Sequence, residues 1–289
     1  MKPEISNPVR TLLSLGRVPN LPTVWSNSLA GWWLGGGAHG GRLPFLLAGV
    51  SLLYTGGMFL NDAFDAEFDR QRRAERPIPA GKISERLVWR LGFGQLTVGI
   101  ILLLFWGAST AIAALLLAIF ILLYDLTHKY FTATPWLMGA CRFWVYIIAG
   151  AAGAGGLSGA PIFCGAALAF YVVGLSYVAR RENHRGPIPF WSLLLLLIPI
   201  VLAMVMNTGS FRLRAIWMAS ALVLWLAYCA RPIFTGGAVN VGRLVANLLA
   251  GIVFVDWLAV APQSPRWLNL VFLGLFGLTK LLQKFVPAT

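Results

Sequence analysis

The chain has 289 residues, of which 58% are hydrophobic and 11% are charged, and its formal net charge is +13. This composition excludes a soluble globular protein and indicates an integral membrane protein. The basic residues gather in short stretches between apolar segments, so we expect them to serve membrane topology and anionic lipid headgroups, and we expect no nucleic-acid partner.

The first element along the chain is a polar segment, residues 1–20, which we predict to be a cytoplasmic N-terminal segment without a cleavable signal peptide. We predict that residues 21–289 form a single all-α transmembrane domain, a polytopic membrane helix bundle of nine or ten transmembrane helices around a central cavity. The ten candidate spans are 21–38, 43–66, 87–107, 109–128, 135–153, 159–179, 190–207, 212–229, 243–260 and 266–283.

The basic residues also predict the orientation of the chain. With a cytoplasmic N-terminus, all but four of the 23 Lys and Arg residues lie on the cytoplasmic side or in the span ends next to it. The four exceptions are Arg42, Arg212, Arg214 and Arg266. Because short cytoplasmic loops are rich in Lys and Arg, we expect an integral protein of the bacterial inner (plasma) membrane with its N-terminus in the cytoplasm.

The most unusual stretch, residues 61–81, reads NDAFDAEFDRQRRAERPIPAG and overlaps the end of the second apolar span. Asn61, Asp65 and Asp69 are spaced by four residues, so on a helix each step turns the side chain by only about 40° and all three share one face. Asp62 lies near the edge of that face. One amide and two carboxylates suit Mg²⁺, which prefers oxygen ligands and takes further ligands from substrate phosphates.

Arg72 and Arg76, which follow this face, are candidate ligands of a substrate phosphate, because guanidinium groups bind phosphate oxygens with paired hydrogen bonds. Pro77 and Pro79 then predict the end of the helix. The alternative is a solvated cytoplasmic loop whose charges only set the topology. The residues to which this simpler interpretation applies best are Arg70, Arg73, Glu75 and Lys82.

The pattern NxxxDxxxD followed by RPIPxG resembles the first aspartate-rich motif of the UbiA-type intramembrane prenyltransferases. The resemblance implies Mg²⁺-dependent transfer of a prenyl group from a prenyl diphosphate to an aromatic or lipid acceptor within the membrane. It implies that Asn61, Asp65 and Asp69 hold the metal and are catalytic. The expected partners are a prenyl diphosphate, a hydrophobic acceptor and membrane lipids, and quinone precursors, chlorins, glycerol phosphates, haem and polyketide-like aromatics all stay open as acceptors.

Residues 124–130 read YDLTHKY at the end of the fourth apolar span. The family often has YxxxK at such a position, with the lysine facing the diphosphate, but here His128 takes that place and Lys129 follows it. The resemblance implies that Tyr124 contributes to substrate binding and Lys129 to catalysis, and the alternative for Lys129 is a topological charge. Asp125 is expected to orient the lysine or to pair with it.

Three further polar side chains inside apolar spans are candidates for a function. Arg142 lies seven residues into the fifth span. Because an ionised group in a membrane is costly unless it faces a cavity or a partner, we expect Arg142 to face the cavity and to contact the diphosphate or an acidic acceptor, with snorkelling as the alternative. Asn27 is expected to line the substrate cavity or to hydrogen-bond another helix. Asp256 is expected to pair with an intramembrane polar group or to lie at the outer interface.

Members of the family carry a second motif, typically DxxxD, but the matching residues here, 179–185, read ARRENHR. Glu182 is the surviving carboxylate and a candidate ligand of metal and substrate. Three interpretations stay open: Glu182 holds a second ion weakly, an arginine replaces that ion and binds the diphosphate, or catalysis is lost. The last gives the alternative function, a catalytically decayed lipid- or isoprenoid-binding or export component of a secondary-metabolite system, as in the EboC-like branch that this motif resembles.

Overall fold

The computed structural model describes residues 8–37, 40–182, 189–234 and 240–286, with only the backbone of Glu182 and Phe234. These residues form α-helices joined by turns and short 3₁₀ segments, and they contain no strand. The helices are α1 (Pro8–Leu15), α2 (Leu21–Leu34), α3 (Leu43–Arg72), α4 (Glu85–Leu104), α5 (Ala108–Thr127), α6 (Pro135–Ala151), α7 (Gly159–Ala179), α8 (Phe190–Leu195), α9 (Ile198–Met206), α10 (Gly209–Phe234), α11 (Val241–Val260) and α12 (Arg266–Phe285).

Seven helices in the described part of the chain are long and apolar enough to cross a membrane, namely α3, α4, α5, α7, α10, α11 and α12. The three other predicted spans coincide with shorter apolar helices: α2 with 14 residues, α6 with 17 residues, and the pair α8 and α9. The prediction of an all-α polytopic membrane bundle is therefore confirmed.

Two predicted spans end or break where glycine or proline prevents a continuous helix. The span 190–207 is divided into α8 and α9, because Pro199 in the first turn of α9 lacks an N–H group and its ring clashes with the carbonyl four residues earlier. The span 21–38 ends at Leu34. Gly36 and Gly37 follow it with φ angles of 99° and 57°, a left-handed conformation that favours glycine.

The apolar interior of the described residues consists of two large clusters and a smaller one that includes Leu15 and Ile78 beside the end of α3. One large cluster joins α3, α4 and α5, and the other joins α7, α10, α11 and α12. Helices α2 and α6 contribute buried side chains to both large clusters. The polar residues Thr23, Asn27 and Arg142 on α2 and α6 are therefore buried.

Helix α3, which carries the aspartate-rich stretch, is held in backbone contact with α4. A Cβ atom added to Gly56 on α3 would lie 2.9 Å from the carbonyl oxygen of Gly92 on α4. Two helical turns away, a Cβ atom added to Gly99 on α4 would lie 2.9 Å from the carbonyl oxygen of Gly49 on α3. Such close approach through small residues is common between helices in membranes, and it fixes the axis on which the charged residues lie.

Candidate active site

The candidate metal ligands lie on the last turns of α3. The helix continues beyond the apolar span to Arg72, and the N–H of Arg73 still donates to the carbonyl oxygen of Asp69 at 2.7 Å. Asn61, Asp65 and Asp69 are therefore all helical and share one face. Asn61 and Asp69 are buried, with 7% and 4% of their surface exposed, whereas the Asp65 side chain is 20% exposed.

Asp65 is contacted by two basic side chains from the loop between α5 and α6. The Nζ atom of Lys129 lies 2.8 Å from Asp65 Oδ1 and also donates to the carbonyl oxygen of Phe64 at 2.8 Å. The Nε2 atom of His128 lies 3.1 Å from the same carboxylate oxygen. The structure thus brings Lys129 to the α3 face, together with His128, which the sequence analysis assigned no function.

The His128 ring is fixed by the residue one turn before it. Tyr124 stacks on it with ring centroids 5.2 Å apart and an interplanar angle of 16°. Burial alone would lower the pKa of His128, but the hydrogen bond with Asp65 and the charge of that carboxylate outweigh burial and raise the pKa above its ordinary value. Tyr124 therefore contributes to the site by stacking on the His128 ring, which contacts Asp65.

The amide of Asn61 is oriented by a carboxylate on α5. Its Nδ2 atom donates to Asp125 Oδ1 at 3.0 Å, which leaves Asn61 Oδ1 on the opposite side, where Arg17 Nη2 approaches to 3.5 Å. Asp125 is only 3% exposed, and among the described residues its Oδ2 atom has no hydrogen-bond partner. Since only the oxygen of an amide can ligate Mg²⁺, this orientation presents the useful atom of Asn61.

Asp62, at the edge of the face, lies between two arginines. Its Oδ1 atom is 3.8 Å from Arg17 Nη2 and 3.5 Å from Arg76 Nη1. A narrow cleft beside this pair is lined by Leu15, Asp62, Asp69, Arg76 and the turn 77–79. Arg72 is exposed, and its guanidinium lies over the Phe68 ring at 4.7 Å, away from these ion pairs. The structure thus brings Arg76 to the carboxylates and leaves Arg72 at the surface.

The donor set at the end of α3 fits a hard divalent cation, because its carboxylates and amide offer oxygen ligands. Within the described ranges, no three carboxylate, histidine or cysteine side chains converge on one point. The carboxylates are instead contacted by basic protein side chains, with Lys129 and His128 at Asp65 and two arginines at Asp62. A divalent cation would compete with these side chains for the same oxygens.

Arg142 and Asn27 belong to a deeper polar group. Arg142 Nη1 donates to Asn27 Oδ1 at 2.7 Å, and its guanidinium lies 5.5 Å from the centre of the Tyr54 ring. Asn27 Nδ2 donates to Asp256 Oδ2 at 2.6 Å, and the Tyr146 hydroxyl donates to Asp256 Oδ1 at 2.7 Å. These contacts link α2, α6 and α11 in the interior, so Asp256 pairs with intramembrane polar groups, which was one of its two expected placements.

The end of α7, where the second motif was expected, has a different character. Arg180 contacts the loop between α5 and α6, with its Nη1 atom 2.7 Å from the carbonyl oxygen of Thr132 and its Nη2 atom 2.6 Å from Thr134 Oγ1. The Glu182 side chain and residues 183–188 lie outside the described residues, so the suggested metal and substrate contacts of Glu182 have no structural counterpart to report.

Sequence reasoning missed His128 and left Asp125 with only a secondary role. Both belong to the same YDLTHK stretch, three residues apart, and therefore face the same side of the end of α5. That spacing was the available signal for a contact with α3. Arg17 offered no comparable signal, because its contact with Asp62 joins residues 45 positions apart and depends on how the chain folds before α2.

Fold and site together define a polytopic α-helical membrane protein that gathers carboxylates and cations at one end of its helix bundle. The model of the UbiA prenyltransferase family matches residues 20–260. The chain therefore belongs to the UbiA prenyltransferase family, as the aspartate-rich motif predicted. Its assignment to an EboC-like branch stays a prediction.

Relatives of known function and structure agree with this family. The chain is 32% identical over 147 residues to digeranylgeranylglyceryl phosphate synthase from Methanothrix thermoacetophila, a match that covers 45% of this chain and 53% of the relative. It is similar to the apo structure of a UbiA homolog from Aeropyrum pernix K1, with a TM-score of 0.64, 16% identity and coverage of 83% and 94% of the two chains. A UbiA homolog from Archaeoglobus fulgidus bound to GPP and Mg²⁺ gives a TM-score of 0.50 at 15% identity, with coverage of 94% and 96%.

The likeness to the solved structures, at these identities, concerns the fold. The chain spans about half the length of the Methanothrix relative and about a quarter of the length of other curated relatives that it matches. Activity, substrate and metal are therefore matters for proposal.

Proposed function

We propose that this protein transfers a prenyl group from a prenyl diphosphate to a hydrophobic acceptor within the membrane, in a Mg²⁺-dependent reaction. The observation that carries the proposal is the one face of α3 that bears Asn61, Asp65 and Asp69, with Lys129 from the loop between α5 and α6 in contact with Asp65. Oxygen ligands for a divalent cation and an ammonium group for phosphate oxygens are the two components that diphosphate departure requires. The Archaeoglobus homolog with GPP and Mg²⁺ supports the choice of metal and substrate class.

In this reaction the carbon–oxygen bond of the allylic diphosphate breaks, and the diphosphate leaves with the electron pair. Asn61, Asp65 and Asp69 would hold Mg²⁺, which would supply positive charge to the oxygens of the departing diphosphate. Lys129 and Arg76 add positive charge at the same end of the bundle. Once the ion pair between Lys129 and Asp65 is broken, the Lys129 ammonium group can contact the diphosphate. The acceptor then attacks the allylic carbon and loses a proton.

Arg142 and Asn27 contact each other and not the α3 carboxylates, so we assign them to the deeper part of the substrate path rather than to the diphosphate. The acceptor class stays open. We further infer that residues 21–289 act as one domain, that residues 1–20 are cytoplasmic, and that the charged end of the bundle faces the cytoplasm of a bacterial inner membrane.

The second candidate function is a decayed binding or export component, and the observation that favours it is Arg180 in place of a motif aspartate. The two functions differ in whether the protein breaks the carbon–oxygen bond. A binding protein takes up a prenyl diphosphate and releases it unchanged, whereas a transferase liberates diphosphate and a prenylated product.

The test uses purified protein, labelled geranylgeranyl diphosphate, Mg²⁺ and a membrane extract as the source of acceptors. We expect labelled product from the wild-type protein, and a loss of at least about 1,000-fold in Asp65→Ala and Asp69→Ala with unchanged expression. Glu67→Gln, an exposed carboxylate on the same helix, is the matched control and should stay within about twofold. Unchanged product formation in either aspartate variant contradicts the metal assignment, and wild-type binding without any diphosphate release supports the second function.

A further inference from the structure

The guanidinium of Arg180 is surrounded by acceptors from one loop, residues 128–134, which joins α5 to α6. Its Nη1 atom donates to the carbonyl oxygen of Thr132 at 2.7 Å. Its Nη2 atom donates to the carbonyl oxygen of Phe131 at 2.8 Å and to Thr134 Oγ1 at 2.6 Å, and it lies 3.5 Å from the carbonyl oxygen of His128. One side chain thus contacts four residues of a seven-residue loop.

Three of these acceptors are backbone carbonyl oxygens of the loop itself, and the fourth is the hydroxyl oxygen of Thr134, the residue just before α6. Helix α5 ends at Thr127, whose carbonyl oxygen already accepts from two loop N–H groups, so Arg180 binds the loop and not the last turn of α5. The loop residues 129–133 are exposed. A planar guanidinium with several donors in one fork can bridge such a loop, which an ammonium or a carboxylate cannot do.

The same loop carries the cations that contact Asp65. Lys129 Nζ and His128 Nε2 both lie within 3.1 Å of Asp65 Oδ1, and the carbonyl oxygen of Phe131, which accepts from Arg180 at 2.8 Å, lies two residues after Lys129. The position of Lys129 relative to α3 therefore depends on the conformation of residues 128–134. Arg180 connects the end of α7 to that conformation without touching α3 itself.

We propose that Arg180 is a positioning residue, which holds the loop 128–134 so that Lys129 is presented to the α3 carboxylates and to the diphosphate that binds there. The catalytic consequence rests on the proposed function, whereas the loop contact does not. This assignment differs from a phosphate ligand, because the donors of Arg180 are directed at loop carbonyls and at Thr134. Arg180, which lies at the position of the family's second motif, therefore positions Lys129 in this chain.

The first arm of the test measures hydrogen exchange at the backbone amides of residues 128–134 by mass spectrometry. Arg180→Gln should raise their exchange rate by on the order of tenfold, and Arg180→Lys should not restore protection. Arg181→Gln is the matched control, since Arg181 is the adjacent residue and makes none of the four contacts, and it should leave exchange unchanged. Unchanged exchange in Arg180→Gln overturns the proposal, and so does full protection in Arg180→Lys.

The second arm is a double-mutant cycle on turnover with labelled geranylgeranyl diphosphate. Arg180→Gln alone should lower turnover by about 10- to 100-fold, as supporting residues of active sites do. In a Lys129→Met background the same change should cost less than about twofold, because its effect passes through Lys129. Equal losses in both backgrounds, which a direct phosphate ligand or general unfolding would give, overturn the proposal. If the wild-type protein forms no product, the proposed function fails, and the exchange arm still decides whether Arg180 holds the loop.

Discussion

The ends of α3 and α7 lie on the same side of the bundle, and the loop 128–134 contacts both, yet their charges are arranged in opposite ways. The end of α3 carries Asp62 and Asp65, which contact basic side chains from other segments, together with the buried Asp69. The end of α7 carries Arg180, whose partners are neutral carbonyl and hydroxyl oxygens. One end therefore holds charge that a ligand can displace, and the other holds a fixed structural contact.

The helix dipole explains why this difference is informative. Asp69 lies in the last turn of α3, where the partial negative charge of the helix end makes a carboxylate unfavourable, whereas an arginine at a helix C-terminus is stabilised. The α3 carboxylates are also partly or fully buried, which adds a desolvation cost. An arrangement that is costly for folding but neutralised by exchangeable cations is typical of a ligand site, whereas the contacts of Arg180 are those that stability alone would favour.

The largest effect on turnover among these tests is expected at Asp125, a residue of α5 that orients Asn61 on α3. Asp125→Asn replaces the acceptor of the Asn61 amide with a group that can also donate, so Asn61 is free to turn its oxygen away from the face. We expect turnover to fall by about 10- to 100-fold and the Mg²⁺ concentration for half-maximal rate to rise. Turnover assays over a Mg²⁺ titration test this, and an unchanged Mg²⁺ requirement would contradict the role given to Asp125.

A smaller effect is expected from His128, which is the titratable group of the loop. Its pKa is raised by Asp65, so the protonated form stabilises the folded state fully below the ordinary pKa of about 6.5, and this contribution is lost as the pH rises through the raised folded value. In chelator, His128→Gln should therefore lower the stability by up to about 1 kcal/mol at pH 5.5 and by less at pH 9. Thermal unfolding in detergent at both pH values measures this, and an equal or larger loss at pH 9 would contradict it.

Much of the bundle and one side of the site could be predicted from the sequence, because both depend on short-range patterns. Apolar length gave the helix positions, and the spacing of Asn61, Asp65 and Asp69 placed them on one helical face. The Arg180 contacts and the Arg17–Asp62 pair join distant segments, and no local pattern encodes them. Arg142 illustrates the same limit: its depth predicted a cavity-facing side chain that contacts the diphosphate or an acidic acceptor, whereas in the structure it donates to Asn27, which depends on the packing of α6 against α2.

The most direct test of the central claim is the binding of a non-hydrolysable thio analogue of geranylgeranyl diphosphate, measured by calorimetry with and without Mg²⁺. We predict that Mg²⁺ raises the affinity of the wild-type protein by at least about tenfold, and that Asp65→Asn and Asp69→Asn each remove this gain. Arg180→Gln should retain it, because Arg180 contacts the loop and not the metal ligands. Binding that is independent of Mg²⁺ in the wild-type protein, or a Mg²⁺ gain that survives in both aspartate variants, would contradict the account.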